Sequence, residues 1–516
     1  MTAGQTNPIN WPRVRGFHWF VLALLLAAGT GIRWDRIDKQ SLWIDEYWAL
    51  YLATGRGDQL FQTPHNVILD PPPRIGIGGA PHWWHIWPGL GSVTHPPAYF
   101  LALRAWVEFF GDSDRAIRSL STLFSLAGIM IIFSLVRRLR GPGAALVAAG
   151  LMAFAPMQID YSQTTRPYTM LVFFSLLLCH ALISIQLRGV RPRRLVLLGA
   201  SVLAMALTHY FSAGAILGAI VYIFIRFTGK SRRMSLISIG IALLIAAILW
   251  GPFLWKIRGS FDAFPNFARA PANKIQSIAR AVVTIPAQVL FEPEGPWNCL
   301  QALPLALLVY IAPLLLMRKS PEMLLWWLWI VGTIGMLLAV DFYRNTLLIG
   351  ILRYSFILSP AIFIILATFL PEHWLGRSVS YAALLGAILY GLDRLEVGPE
   401  PNEDWKTLAR LTNRLAEPGD IIAFAGSYDY EPGFNYVVMA HYMPEWTCPI
   451  MFLTKEPSDA VLRQLAAHGR IWIIGHNPTS ETGRYLPAWT TGDVHGSSAI
   501  GELIWAASPP ATATEK

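Results

Sequence analysis

The chain is poor in charge, cysteine and catalytic signatures. Only 14% of its 516 residues are Asp, Glu, Lys or Arg, too few for an ordinary soluble surface, which leaves a chain that lives in lipid. It has three cysteines, Cys179, Cys299 and Cys448. They lack metal-ligand spacing and do not make a disulfide framework, although a Cys299–Cys448 bridge outside the membrane stays open. No Walker loop, dinucleotide fingerprint, HExxH, GxSxG or CxxC occurs, which argues against nucleotide-driven transport, redox work and the common hydrolases. Internal repeats and inverted half-symmetry are also missing, a point against a transporter.

What is abundant is apolar and aromatic: 54% hydrophobic residues, with 21 Trp and 26 Phe. A bilayer crossing takes ~20 apolar residues. The runs 17–33, 118–137, 143–158, 168–187, 194–209, 211–227, 235–255, 300–317, 322–340, 347–370 and 378–394 give about eleven spans. The first, preceded by Arg13 and Arg15, reads as an uncleaved signal anchor because so many spans follow. The stretch 97–110 is short and carries Arg104 and Glu108 at i,i+4 spacing. Each charge at mid-membrane costs ~2.5–3.5 kcal/mol, so an interfacial helix is the better reading.

The formal charge of +9 sits in short basic clusters between the apolar runs, which points to topology and away from nucleic acid. With the N-terminus cytoplasmic and 97–110 lying on the outer surface, Arg137 to Arg140, Arg188 to Arg194, Arg226 to Arg233, Arg318-Lys319 and Arg377 all fall inside. Counting 97–110 as a span would turn every one outward. The predicted fold is therefore a polytopic α-helical protein of the cell membrane. Residues 1–394 form the membrane part, with a first outer loop at 34–117. A small extracytoplasmic α/β domain over 395–507 and a disordered tail at 508–516 follow. In that domain Asp404 to Gly426 reads as an amphipathic helix, a Pro-Gly-Asp turn and a strand. Strand-like 449–454, helix-like 458–469 and strand-like 470–475 come next.

This threading gathers polar residues on the outer side. SLWIDEYWAL, Ser41 to Leu50, offers the acid pair Asp45-Glu46 just past the first span, where a carboxylate can take a proton from an acceptor while the bilayer delivers a lipid-linked substrate. A solvated acid at a helix start is the plainer alternative. THPPAYF puts His95 before two prolines that force an extended entry into the interfacial helix. YSQTTRPYTM sets Arg166 between Tyr161 and Tyr168, a planar fork with added hydroxyl donors suited to phosphate. An interfacial aromatic belt with a snorkelling arginine reads equally well from spacing alone. His209-Tyr210 stand at another outer helix end. Arg118 and Arg353-Tyr354 approach the outer boundary from further spans; three cations converging there suit a phosphate leaving group.

Taken together and in order, SLWIDEYWAL, THPPAYFLAL, SDRAIRSLSTLFSLAG, APMQIDYSQTTRPYTML and THYF resemble the bacterial members of the dolichyl-phosphate-mannose protein mannosyltransferase type, within the GT-C superfamily. The resemblance covers residues 15 to about 230, and the remainder in layout only. It implies inverting transfer from a polyprenyl-phosphate sugar on the extracytoplasmic side, with membrane lipids around the spans and an acceptor of protein, lipid or glycan nature. By similarity Asp45 matches the catalytic acid and Glu46 its neighbour. His95 matches the motif before the juxtamembrane helix, Arg118 the arginine after it, and Arg166 with Tyr168 the outer Arg-x-Tyr segment. Thr164 stands where relatives often carry an acid, so no divalent metal or other cofactor is expected. A polysaccharide polymerase or ligase with a polyprenyl-pyrophosphate donor is the nearest alternative; a transporter or a non-catalytic scaffold is further off.

Overall fold

The computed structural model describes residues 14–35, 37–57, 59–90, 95–256, 269–291, 297–318, 320–369, 404–425, 431–443, 445–453, 457–468, 470–475, 490–496 and 503–508, with a few single positions between 378 and 393. The expected span 378–394, the tail beyond 508, Arg13, Lys319 and Arg377 lie outside this set or touch it only at isolated residues. The chain divides into two compact units. The first comprises Met1–Asp35, Val93–Tyr99 and Arg118–Gly398, and the second Arg36–Ser92, Phe100–Ile117 and Pro399–Lys516. Of the outer loop expected at 34–117, residues 36–92 and 100–117 fall in the second unit and 93–99 in the first.

The first unit is a helical membrane protein. Among the described residues six helices are long and apolar enough to cross a bilayer: Gly16–Trp34, Asp114–Phe154, Tyr168–Arg188, Gly229–Lys256, Cys299–Leu316 and Met323–Arg344. Two shorter apolar helical stretches are Ser212–Arg226 and Leu352–Thr368. The expected spans 118–137 and 143–158 fall on one helical run that bends at Gly141, where φ is 83°, beside Pro142. Glycine takes that left-handed backbone without a Cβ clash, and proline removes a helical donor, so the pair explains the break. Helix Gly229–Lys256 leaves Ile241, Leu244, Ile248 and Trp255 exposed, as a lipid-facing surface requires. The interior is packed from Val136, Leu151, Leu176, Leu182, Tyr222, Trp326 and Ile362.

Helices Ser212–Arg226 and Met323–Arg344 approach through bare glycines. A Cβ on Gly214 would collide with the carbonyl oxygen of Gly332, and one on Gly218 with that of Leu328. Without water to drive helix association in lipid, such close backbone contact supplies the attraction. Between the expected spans 235–255 and 300–317 the chain forms a further helix, Lys274–Leu290, whose buried face carries Ile278, Ile285 and Val289. Those apolar positions recur at roughly helical period, and that turns the segment inward.

The second unit is an α/β fold with a five-stranded sheet. β1 (Ile421–Phe424), β2 (Ile450–Phe452) and β3 (Ile471–Gly475) pair in parallel, and β4 (Thr490–Gly496) and β5 (Leu503–Ser508) join them antiparallel, in the order β2-β1-β3-β5-β4. Every residue of β1, β2 and β3 is buried, which matches their unbroken apolar runs. Helix Trp405–Leu415 starts at Asp404, whose side chain accepts the Thr407 amide at 3.3 Å. The Pro418-Gly419 turn closes on Asp420, which accepts from the Glu417 amide at 2.9 Å and from Trp472 Nε1 at 2.9 Å. The same unit holds helices Ile44–Ala53 and, from Phe100, most of Ala98–Phe110. In the latter the expected Arg104–Glu108 pair forms at 2.6 Å, and Arg104 also donates to the Thr54 and Pro81 carbonyls at 3.0 Å.

Candidate active site

In the first unit, residues from four distant stretches come together. Arg166 Nη2 lies 3.4 Å from His95 Nε2. The Arg166 guanidinium sits 5.8 Å over the Tyr168 ring, and Arg353 sits 5.5 Å over the Tyr354 ring. His209 bridges the two halves, its ring 6.1 Å from Tyr168 and 6.0 Å from Tyr354. Tyr161 closes the cluster with an edge-on contact to Tyr168 at 5.3 Å. Tyr210 belongs to the adjoining turn, where its hydroxyl accepts from Trp250 Nε1 at 2.9 Å. Arg166, Tyr168, His209 and Tyr354 are all buried. Burial, reinforced by Arg166, His209 and Arg353, pushes the His95 imidazole well below its usual range. It is therefore neutral at pH 7, and Nε2 can accept from the guanidinium.

The backbone around Arg166 is fixed from two sides. Ser121 Oγ donates to the Arg166 carbonyl at 3.3 Å and Thr122 Oγ1 to that of Ser162 at 2.9 Å. Gln163 Nε2 reaches the carbonyls of Ile32, Arg33 and Asp35 at 3.0 to 3.3 Å. Thr164, the departure from the family pattern, donates to the Asp160 carbonyl at 3.0 Å. Asp341, buried at the end of Met323–Arg344, accepts from Thr346 Oγ1 and from the amides of Leu348 and Ile349 at 2.6 to 3.0 Å. It thereby shapes the turn that leads to Arg353. Arg118 is buried near the start of its helix.

Sequence reasoning missed Arg33. Its side chain is fully buried and donates to Ser125 Oγ at 3.1 Å and to the carbonyls of Gly29, Met152 and Ala153 at 3.2, 2.9 and 2.6 Å. The available signal was a charge in the last turn of an apolar helix, which by itself reads as a boundary residue.

In the second unit Asp45 and Glu46 occupy the first turn of Ile44–Ala53. Asp45 is half-buried. Glu46 is buried, and its carboxylate accepts the Trp43 amide at 3.4 Å as an N-terminal cap. Both acids also favour the positive end of the helix dipole. A larger polar network lies in the same unit. The Asp114 carboxylate takes His441 Nε2 at 2.9 Å, Lys406 Nζ at 2.7 Å and the Tyr442 hydroxyl at 3.0 Å. Asp114 precedes the apolar part of its helix. Burial alone would raise its carboxyl, but the bonds from His441 and Lys406 win and hold it at about 2. The three cysteines are free thiols, Cys179 and Cys448 buried and Cys299 exposed. Among the described residues no three His, Cys, Asp or Glu side chains gather as a metal-binding group.

A bundle of apolar helices carrying two arginines at an aromatic site, together with a small α/β unit, has counterparts among known proteins. Residues 94–255, under a third of the chain, are similar to the dolichyl-phosphate-mannose-protein mannosyltransferase family. The matched stretch contains His95, Arg118, Arg166, Tyr168, His209 and Tyr210. No curated protein matches the sequence. Among solved structures, ArnT from Cupriavidus metallidurans bound to undecaprenyl phosphate is similar at a TM-score of 0.57 and 14% identity, over 95% of this chain and 98% of that one. It therefore shares the fold. An oligosaccharyltransferase from Archaeoglobus fulgidus, in complex with zinc and sulfate, is a looser likeness, with a TM-score of 0.49 and 12% identity over 95% of this chain and 73% of that one.

Proposed function

We propose that the chain moves a sugar from a polyprenyl-phosphate donor to an acceptor on the extracytoplasmic side of the membrane, with inversion at the anomeric carbon. The observation that carries this reading is the pairing of Arg166 and Arg353 on Tyr168 and Tyr354 around two histidines. Two guanidinium groups in one aromatic setting hold a dianionic phosphate better than they hold each other. A lipid phosphate is the ligand that an integral membrane fold meets there. ArnT, which shares the fold, was crystallised with undecaprenyl phosphate.

In the proposed reaction the acceptor oxygen or nitrogen attacks the anomeric carbon from the face opposite the phosphate. The acceptor proton passes to the Asp45 carboxylate, and the electron pair of the breaking carbon–oxygen bond goes to the phosphate. Arg166 and Arg353, with Arg118 in support, take up the charge that grows on the leaving group. Neutral His95 accepts from Arg166 and keeps its fork aimed. No covalent glycosyl-enzyme is needed. About eleven spans, with the N-terminus cytoplasmic and the C-terminal region outside, complete the reading.

The test is transfer by purified protein from a synthetic polyprenyl-phosphate sugar, comparing wild type with Asp45→Asn. Loss of a positioned base removes about 10²–10⁴-fold in rate, so D45N is expected to fall by at least the lower figure while still binding donor. Near-normal transfer by D45N removes Asp45 from the mechanism.

A further inference from the structure

The second unit encloses a cavity of about 1310 Å³ that the transfer chemistry above does not use. It is larger than the roughly 300–1,000 Å³ of pockets built for drug-sized molecules, so it has room for more than one ring. Its lining mixes apolar and charged side chains, and the charges cancel: Arg74, Arg115 and Lys406 against Asp38, Asp112 and Asp114. Most of these are already matched, Arg115 to Asp38 at 3.1 Å and Lys406 to Asp114 at 2.7 Å. A polyanion or a basic peptide would find no field of one sign here. A prenyl or acyl chain would have to strip water from six formal charges.

What remains is a ligand rich in hydroxyl groups and carrying no net charge. The other wall suits it. Tyr47, Leu50 and Tyr51, all buried, back this wall from one face of helix Ile44–Ala53 at i, i+3, i+4. Half-buried Trp446, also in the lining, supplies an accessible aromatic face and leans on Tyr436, their rings 5.5 Å apart. Aromatic faces take the apolar C–H side of a sugar ring while carboxylates and guanidinium groups take its hydroxyls. The segment 71–79 adds Gly76, Gly78 and Gly79, and Arg56 donates to the Gly76 and Gly78 carbonyls at 3.1 and 3.3 Å. That rim has little side-chain cover at its three glycines, and Arg56 holds two of its carbonyls in place.

We infer that this cavity is a saccharide site, which takes two or more units of a neutral glycan that serves as the acceptor. The acceptor role rests on the proposed glycosyl transfer; the binding does not. The test uses full-length protein in detergent and saturation-transfer NMR. The probes are neutral gluco- and manno-oligosaccharides of one to six units, with an oligogalacturonate and a chitosan oligomer as acidic and basic comparators. Neutral oligomers of two units and longer are expected to give saturation transfer, and Trp446→Ala to weaken it about tenfold. Asp112→Asn, a near-isosteric change at a half-buried position, serves should the tryptophan variant fold poorly. In transfer assays either variant is expected to raise the acceptor KM about tenfold with kcat at saturating acceptor unchanged, the signature of lost ground-state binding. Silence from every neutral oligomer, stronger binding of a charged comparator, or unchanged binding in both variants overturns the site. Saccharide binding together with full transfer by D45N would leave the site standing and remove only the catalytic base.

Discussion

A guanidinium in apolar surroundings is costly unless its donors are matched, and Arg33 and Arg166 are handled differently. Arg33 spends its donors on three helix carbonyls and a serine, which ties the first helix to the end of Asp114–Phe154 and makes it structural. Arg166 has a neutral imidazole at 3.4 Å and a tyrosine face at 5.8 Å. Neither of these bears a negative charge, and a guanidinium fork is the group that matches a phosphate. Identity as well as charge then matters at this position. Arg166→Lys keeps the cation but loses the planar fork and the stacking surface. It is expected to lower kcat/KM for a polyprenyl-phosphate sugar by about 10²–10³-fold, with thermal stability within a few degrees of wild type. Steady-state kinetics beside a melting curve separates the two. A lysine variant as active as the parent would mean that Arg166 acts only as distant charge.

At the scale of elements, the contact between Ser212–Arg226 and Met323–Arg344 is decided by what is missing from three side chains. Gly214, Gly218 and Gly332 let backbone meet backbone, and lipid supplies no hydrophobic force to restore a helix pair that has been pushed apart. A valine at 214 would drive its branched Cβ against the Gly332 carbonyl. The cost expected from overpacking is about 1–3 kcal/mol, read as a lowered melting temperature in detergent. Gly240 is the internal control: it lies in helix Gly229–Lys256 with no atom within 4 Å of an added Cβ. Gly240→Ala is expected to be neutral or mildly stabilising, because alanine in a helix is favoured over glycine by about 1 kcal/mol. Equal behaviour of the two variants would deny the crossing any special role. The last turn of the same helix Met323–Arg344 carries Asp341, whose carboxylate gathers the turn before Arg353. Packing and site geometry are thus set by one element.

For the molecule as a whole, the sequence carried whatever depends on local pattern. Apolar runs marked the helices, and unbroken Ile-rich stretches marked β1 and β3. The Pro-Gly-Asp turn was legible because Gly419 has φ 102° and proline and aspartate favour such a turn. What was not legible depends on partners far apart in the chain. The β4–β5 pair is defined by its register against β3, and Asp114 meets Tyr442 across 328 residues. The face of Lys274–Leu290 turns inward only because other helices cover it. Of the site, Arg166, Tyr168, His209, Arg353 and Tyr354 could be named from helix ends and aromatic neighbours, whereas their ring-by-ring order could not. Orientation is a property of this largest scale, and basic clusters bear on it directly. Half-buried Arg137 and Arg138 lie just before the bend at Gly141, and exposed Arg191 and Arg193 at the start of Pro192–Thr208; the proposed orientation, by the positive-inside rule, puts both clusters in the cytoplasm. With Cys299 first changed to serine, a cysteine at Arg191 is expected to react with a membrane-impermeant maleimide only after cells are permeabilised. A cysteine at Glu417, an exposed position in the second unit, is expected to react in intact cells. Labelling in the reverse order would turn the chain over. It would place Asp45 on the cytoplasmic side, where soluble nucleotide sugars are the available donors, and a lipid-phosphate donor would lose its topological argument.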